Sequence, residues 1–437
     1  MLQWSRYKIS TKNRIDSIMK IAIANRRYFK SSGPESYLFA IKQMLEDNGN
    51  QVYPFSVKRK GNYECISSEY FVNPPAGEDV LFYKDYNVNK LQALKIFCNA
   101  IYSFEAHRKA SKLFKEKQID LLYLLGIVND ISPSVISAAY SMNIPVVMRI
   151  SDYYLLCPEY RFLRDGKICQ DCFDGYYHAL KYKCVQGRFA PTLTRVLSMY
   201  VHKWIRIYDK VSYFITPSEC MRQNMIQGGF PEERIKFIPS FIDITDKDPC
   251  YENKGYILYI GRISTDKGVM ILLEAISKGK INTPVLIIGE STDDTLGKLK
   301  DYALKHELKN VDFVGFKKGK ELEALIKGAI FTVVPSIWLD NSPMSVLESM
   351  AFGKPVIGSD VGGISEQITD ECGMKFSVGD ASALAYKMKE LLSLPERIII
   401  EMGKKGRKRV ETYYSPGRHY KALLEIFVHI LQKRKIA

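Results

Sequence analysis

Two short segments in the C-terminal half of the sequence combine residues that hold anions with residues that hold hydroxyl groups. The first is GRISTDKG, Gly261 to Gly268. Gly261 ends an apolar run and lets the backbone turn. Arg262 and Lys267 then stand beside the start of a helical pattern, where cations and free backbone amides both favour phosphate. The second is WLDNSPMSVLESMAFGKPVIGSD, Trp338 to Asp360. Asp340 falls in a loop. Glu348 falls eight residues later in a helix expected to start near Pro343, with Ser342 as its N-cap. A loop carboxylate and a helix carboxylate can point into one cleft and accept hydrogen bonds from paired sugar hydroxyls. The amides from Ser342 through Met344 to Ser345 suit a phosphate or a sugar oxygen. Taken singly, each segment has a plainer reading, as two solvated cations or as two solvated helix-end acids.

A third cluster is made of thiols. Cys157, Cys169, Cys172 and Cys184 are separated by eleven, two and eleven residues, within a segment at 155–187 that reads as an insertion. A Cys-x2-Cys core suits a thiolate chelate, so the four are candidate ligands of a structural zinc; the alternative is four reduced thiols. The other five cysteines, Cys65, Cys98, Cys220, Cys250 and Cys372, are scattered. Residues 1–18 are polar and basic and lack the apolar core of a signal peptide. A disulfide framework is therefore not expected, and a cytoplasmic location is.

The elements that would position these groups alternate. KIAIA at 20–24 reads as a buried parallel strand, then comes a loop with Ser31, Ser32, Gly33 and Pro34, then an amphipathic helix to Gly49. The pattern begins at Met19, which makes Met19 a candidate start. Further strands are expected at 51–57, 120–127, 145–151, 213–217 and 236–242. Residues 244–254 are polar, contain Pro249 and show no period, as a linker does. A second series follows, with strands at 256–262, 284–289, 311–316, 329–336 and 355–360 and closing helices near 380–393, 397–412 and 416–433. Alternating strands and helices imply parallel sheets, and the length of 437 residues implies two domains. The fold class is α/β, with two Rossmann-like domains at 19–243 and 255–415, a ligand cleft beyond the carboxyl ends of the strands, and a last helix at 416–437 packing back toward the first domain.

Bulk properties narrow the partners. Hydrophobic residues make up 46% and charged residues 25% of the chain, and no run is long enough to span a bilayer. A formal charge of +15 favours anionic partners such as nucleotide phosphates or anionic lipid. No zinc-finger or RNA-binding signature is present, so nucleic acid is not expected. The segment 189–211 is amphipathic and carries Arg195, Lys203, Arg206 and Lys210. It is expected to pack on its own domain with a basic rim, the rival being an anionic bilayer at the inner face of a membrane.

In combination the motifs resemble one family. GRxxxxKG, then VGF at 314–316, then an acid-x7-Glu followed by SMAFGKPVIGSDVGGISE, is similar to the retaining glycosyltransferases of family 4, which have the GT-B fold. The resemblance runs from about Met19 to the last helix and is most specific between 255 and 370. It implies a nucleotide-sugar donor, UDP- or GDP-linked, a glycan or lipid-linked acceptor, polysaccharide synthesis and no catalytic metal. Arg262 and Lys267 would hold the donor diphosphate, Glu348 the ribose hydroxyls, and Asp340 hydroxyls of the donor sugar. The amides at Ser342–Ser345 would cap the diphosphate. Gly315 and Phe316 would line the base pocket, and Gly33 would let the first domain approach the diphosphate.

The chain departs from the family at two kinds of position. Asp340 is one methylene shorter than the family's usual Glu. Ser151-Asp152 stands where a His-Asp pair is usual, so both are candidate cleft residues without a catalytic histidine. None of His107, His178, His202, His306, His419 and His429 matches that position. A sugar-nucleotide epimerase of the same fold, or a binding protein that has lost turnover, are the alternatives. The Asp-x-Asp at Asp246 and Asp248 lies in the linker and reads as solvated loop.

Overall fold

The computed structural model describes residues 18–31, 33–74, 90–128, 130–291 and 293–436. The expectations for residues 1–17 and Ser32 lie outside the described residues. The first half contains β1 (Lys20–Asn25), α1 (Gly33–Asp47), β2 (Gln51–Phe55), α2 (Lys90–Ile101), α3 (Phe104–Lys117) and β3 (Leu121–Gly126). It continues with α4 (Ser134–Ser141), β4 (Val146–Arg149), the hairpin strands β5 (Leu163–Arg164) and β6 (Lys167–Ile168), α5 (Tyr177–Tyr182) and α6 (Phe189–Trp204). It ends with β7 (Tyr213–Thr216), α7 (Glu219–Gln227) and β8 (Ile235–Phe237). Six of these strands form one parallel sheet in the order β2-β1-β3-β4-β7-β8. β1 lies inside it with Ile21, Ala22, Ile23 and Ala24 all buried, which is why it reads as a continuous apolar run and not as an alternation.

The second half contains β9 (Tyr256–Ile260), α8 (Val269–Gly279), β10 (Val285–Ile288), α9 (Thr295–Lys305), β11 (Val311–Gly315), α10 (Gly319–Gly328) and β12 (Ala329–Val334). Then come α11 (Met344–Ala351), β13 (Val356–Ser359), α12 (Gly362–Gln367), β14 (Gly373–Phe376), α13 (Ala381–Ser393), α14 (Glu396–Tyr413) and α15 (Pro416–Ile436). The second parallel sheet runs β11-β10-β9-β12-β13-β14. The helix α15 crosses back onto the first sheet. Its Tyr420, Leu423, Phe427 and Ile430 join a core with Ile21, Ile23 and Tyr123, and Phe427 meets Tyr123 edge-on at 5.5 Å between ring centroids. Crossing back ties the end of the chain to the half in which it began.

Three departures from expectation stand out. The strand expected at 236–242 ends at Phe237, because Pro239 has no amide to give to a ladder. The helix expected to reach 211 ends at Trp204; Arg206 adopts the left-handed region at φ 52° and a 3-10 turn at Ile207–Lys210 follows. The short strand β14 (GMKF) has no expectation behind it, and it is fixed by pairing with β13 rather than by its own pattern. Among the described residues no helix is long and apolar enough to cross a membrane.

Candidate active site

The carboxyl ends of β9, β10, β11, β12 and β13 carry the loops that begin at Gly261, Gly289, Phe316, Pro335 and Asp360. This is the edge at which open α/β sheets take ligands. In the Gly261 loop, Arg262 is half exposed. Its Nη2 donates to Asp266 Oδ2 at 2.8 Å and its Nε to Ser264 Oγ at 3.2 Å. Asp266 is buried. Burial alone would lift its carboxyl, but Arg262, Lys267 and Arg161 outweigh that and hold it below the usual carboxylate range. Gly268, at φ 68°, ends the loop; a Cβ there would lie 1.9 Å from the Pro335 carbonyl oxygen. Only glycine lets this loop close onto the end of β12.

That contact brings the two sequence motifs together. Lys267 Nζ lies 2.5 Å from Asp340 Oδ2, and Ser336 Oγ donates to the same oxygen at 3.1 Å. The ammonium also sits 5.4 Å over the Trp338 ring. Asp340 is 5% exposed. The backbone around it is braced from the loop after β13: Gly363 N donates to the Asp340 carbonyl at 2.7 Å, and a Cβ on Gly363 would lie 1.7 Å from the Asn341 carbonyl oxygen. Asp340 therefore faces Lys267 from a loop with little room to relax. Arg262 pairs with Asp266 and the neighbouring Lys267 with Asp340, and Asp266 lies in the field of both cations.

Three contacts join this edge to the first half of the chain. Asn341 Nδ2 donates to the Ser151 carbonyl at 2.7 Å, which places Ser151 directly across from the Asp340 loop. Arg161 Nη1 reaches Asp266 Oδ1 at 3.3 Å, and Arg161 also pairs with Glu159. Glu366 accepts the amides of Glu219 at 2.8 Å and Cys220 at 2.6 Å, at the start of α7. Asp152 follows Ser151 beyond the end of β4. Burial pushes its carboxyl up, against a hydrogen bond from the Tyr154 amide at 3.0 Å and the fields of Arg195 and Arg26.

Glu348 lies on α11. Loss of hydration pushes its carboxyl up to about 7, and Lys247 opposes the rise. The expected N-cap is corrected. Pro343 occupies the cap position and offers no side-chain bond, while Ser342 Oγ accepts from Gln367 Nε2 at 3.0 Å. The Ser342 hydroxyl is thus spent on holding α12 and not on the helix end. The amides of Met344 and Ser345 open α11, where a helix has no acceptor of its own to offer. Gly315 ends β11 at φ 78° with open space around it, and Phe316 beside it is 58% exposed. Gly33 opens α1; it is exposed, and a side chain there would meet nothing within 4 Å.

The remaining candidates stand apart. The four clustered cysteines are free thiols, and among the described residues no group of three or more His, Cys, Asp or Glu is placed to hold a metal ion. Burial pushes Cys157 up to about 11 and Cys172 up to about 12. Cys157, Cys169 and Cys184 all act electrostatically on Cys172, so the four thiols share one neighbourhood. His202 and His419 are packing groups. Burial lowers them to about 4 and about 3, and His419 is held between Tyr37 Oη at 2.8 Å and the Pro239 carbonyl at 2.7 Å. Asp246 is exposed and Asp248 lies in the same irregular segment, as expected of solvated loop. The helix α6 packs through Thr192, Val196, Met199 and His202 and leaves Phe189, Tyr200 and Trp204 outward.

Sequence reasoning missed Asp266, Arg161, Asn341 and Glu366 as site-shaping residues. Asp266 and Asn341 each sit one position from an expected site residue, and Glu366 lies inside the VGGISE run. Arg161 had no local signal, because its partner is 105 positions away.

Residues 241–409 match the family described as Glycosyl transferases group 1, and residues 31–246 match Glycosyltransferase Family 4. The amylovoran biosynthesis glycosyltransferase AmsK of Erwinia amylovora is 26% identical over 53% of this chain and 60% of its own length. Among solved structures, sucrose-phosphate synthase of Thermosynechococcus elongatus superposes with a TM-score of 0.69 at 16% identity, covering 95% of this chain and 100% of that one. HepE of Anabaena, solved in complex with UDP, superposes with a TM-score of 0.64 at 15% identity, covering 94% and 100%. At such identities these structures share the fold. The chain spans 34–60% of the length of the curated relatives it matches first.

Proposed function

Because the chain belongs to the family-4-type glycosyltransferases with the GT-B fold, we propose that it moves a sugar from a nucleotide-sugar donor to a glycan or lipid-linked glycan acceptor, with retention, in the synthesis of a polysaccharide. The observation that carries this reading is the pairing of Lys267 with Asp340, beside that of Arg262 with Asp266, at the carboxyl edge of the second sheet. Arg262 and Lys267 neutralise the donor diphosphate, and the amides of Met344 and Ser345 add to them. A neutralised nucleoside diphosphate is a good leaving group, so the reaction needs stabilisation of charge more than a strong acid. The acceptor hydroxyl passes its proton to the departing phosphate oxygen. Asp340 holds donor-sugar hydroxyls and Glu348 the ribose hydroxyls. Gly315 and Phe316 flank the base, and Gly33, Ser151 and Asp152 face the donor from the other side. Residues 255–415 form the donor domain and 19–243 the acceptor domain.

The outward Phe189, Tyr200 and Trp204 of α6, with Lys203 beside them, suit a peripheral seat on an anionic bilayer. Flotation with phosphatidylglycerol vesicles checks that seat, and binding unchanged in a Trp204→Ser, Lys203→Gln variant counts against it.

The test of activity is incubation with UDP- and GDP-linked sugars and a glycan acceptor. Free nucleoside diphosphate and a glycosylated acceptor are expected, with the donor's anomeric configuration kept in the NMR spectrum of the product. An altered sugar nucleotide without release of diphosphate is the epimerase outcome, and donor binding without turnover is the outcome of a degenerate binder. An inverted anomeric centre contradicts retention.

A further inference from the structure

The segment between β4 and α6 gathers four thiols from turns that its regular elements do little to hold together. Cys157 N donates to the Tyr153 carbonyl at 2.8 Å and Tyr160 N to the Cys157 carbonyl at 2.9 Å, so Cys157 sits in a tight turn. The hairpin of β5 and β6 returns the chain to that turn, where Cys169 N donates to the Phe162 carbonyl at 2.8 Å. Cys172 lies in the 3-10 turn Asp171–Phe173. That turn is tied to the hairpin by Arg164 Nη1 on Asp171 Oδ2 at 2.6 Å and by the Phe173 ring against Phe162 at 5.3 Å. Cys184 follows the left-handed Lys183 that ends α5, and its N donates to the Ala179 carbonyl at 3.1 Å. The helix α5 packs on the same 3-10 turn. The four thiols thus come from turns that meet, and Cys157, Cys169 and Cys184 all act on Cys172.

Two features of this cluster ask for a cation. The first is the set of amides around the sulfurs. Those of Phe162, Glu159 and Tyr160 hydrogen-bond the Cys157 sulfur, and that of Ala179 the Cys172 sulfur. An amide donor favours a thiolate over a thiol. As thiolates, however, the four repel one another, and burial adds to the cost. That repulsion keeps the sulfurs from drawing together on their own, and as they stand no three of them, among the described residues, are placed to hold an ion. A divalent cation removes the repulsion and deprotonates its thiol ligands outright. The second feature is conformational. Five of the eleven non-glycine residues with positive φ among the described residues, Tyr160, Phe162, Asp165, Lys183 and Gln186, fall between Cys157 and Gly187. Side chains disfavour that conformation. Two strands of two residues and a helix of six give little packing in return. Loop-rich units of this size are commonly held by a metal or by disulfides. The guanidinium of Arg164 acts on both Cys169 and Cys184, where it offsets the negative charge of a thiolate set.

We propose that Cys157, Cys169, Cys172 and Cys184 form a structural tetrathiolate site for one zinc ion. The four S–H protons leave to solvent as four Zn–S bonds of about 2.3 Å form, and no group is oxidised or reduced. With every position of the tetrahedron filled by sulfur, the site has no place for a substrate. It fixes the turn from Cys157 to Phe162, which carries Glu159 and brings Arg161 to Asp266. The site stands independently of the donor reading. The full chain, purified without added metal, should carry about one zinc by elemental mass spectrometry. Cys169→Ser with Cys172→Ser should lose it, while Cys65→Ser with Cys250→Ser, which removes two scattered thiols, should keep it. X-ray absorption at the zinc edge of the parent should show four sulfur neighbours, a result that needs no variant to fold. Cobalt(II) added after chelation should give the intense visible bands of a tetrahedral thiolate complex in the parent and not in the Cys169/Cys172 pair. Chelation should lower the melting temperature of the parent and leave that of the pair unchanged. A parent that carries no zinc and takes up neither zinc nor cobalt overturns the site. So does zinc retained in full by the Cys169/Cys172 pair, a zinc edge dominated by nitrogen or oxygen neighbours, or disulfides pairing the four in the purified chain.

Discussion

The Lys267 ammonium lies 2.5 Å from the Asp340 carboxylate, so the two motif residues that would meet a donor meet each other first. A carboxylate that holds the phosphate-binding cation competes with the phosphate. Asp340→Ala should therefore tighten binding of free nucleoside diphosphate while lowering turnover by about a hundredfold, through loss of the sugar contact. Product affinity and kcat measured on the same variant check this. Loss of both together contradicts the competition.

Glu348 has a pH signature. Its carboxyl sits near 7 in the folded chain, above the ordinary 4.5. The folded state then keeps a proton that the unfolded state has released, so this group's effect on stability is neutral below about 4.5 and increasingly unfavourable as pH rises through 7. Glu348→Gln should stabilise the chain at pH 8 by about 2 kcal/mol and make no difference at pH 4. Denaturant melts at both values decide it. Ribose hydroxyls bind the ionised form, so donor affinity should rise through pH 7 in the parent and rise less in the variant.

The contact of Arg161 with Asp266 and that of Asn341 with Ser151 hold the two halves in register across the cleft. Replacing both Arg161 and Asn341 with Ala should widen the particle in small-angle scattering and raise the KM of the donor by about tenfold, with a smaller change in kcat. An unchanged scattering profile with unchanged KM would show that other contacts set the closure.

Gly363 has no space for a side chain, since a Cβ would lie 1.7 Å from the Asn341 carbonyl oxygen. Gly363→Ala should cost about 3 kcal/mol in denaturant unfolding and displace the Asp340 loop. A variant as stable and as active as the parent would mean that the loop moves freely.

What the sequence disclosed follows from what leaves a local trace. The run from Ile21 to Ala24 is apolar because both faces of β1 are buried, and the Gly261 and Gly315 turns are marked by glycine at the strand ends. Arg262, Lys267, Asp340 and Glu348 stand out in the sequence through the combined motifs and the family resemblance they carry, since the spacing of each segment alone has a plainer reading. Their pairing does not. Lys267 and Asp340 are 73 positions apart, and Arg161 and Asp266 are 105 apart, so no period records those contacts. Ser342 reads as a cap for the same reason, because Gln367 on α12, 25 positions away, takes the hydroxyl that local geometry assigns to the helix end.

The donor site carries the proposed activity, and calorimetric titration of UDP and GDP into the parent and into Arg262→Ala and Glu348→Ala variants tests it most directly. One of the two nucleotides should bind at the donor site, with affinity about tenfold to a hundredfold weaker in each of the two variants. Binding of neither nucleotide, or binding that both substitutions leave unchanged, would contradict the assignment.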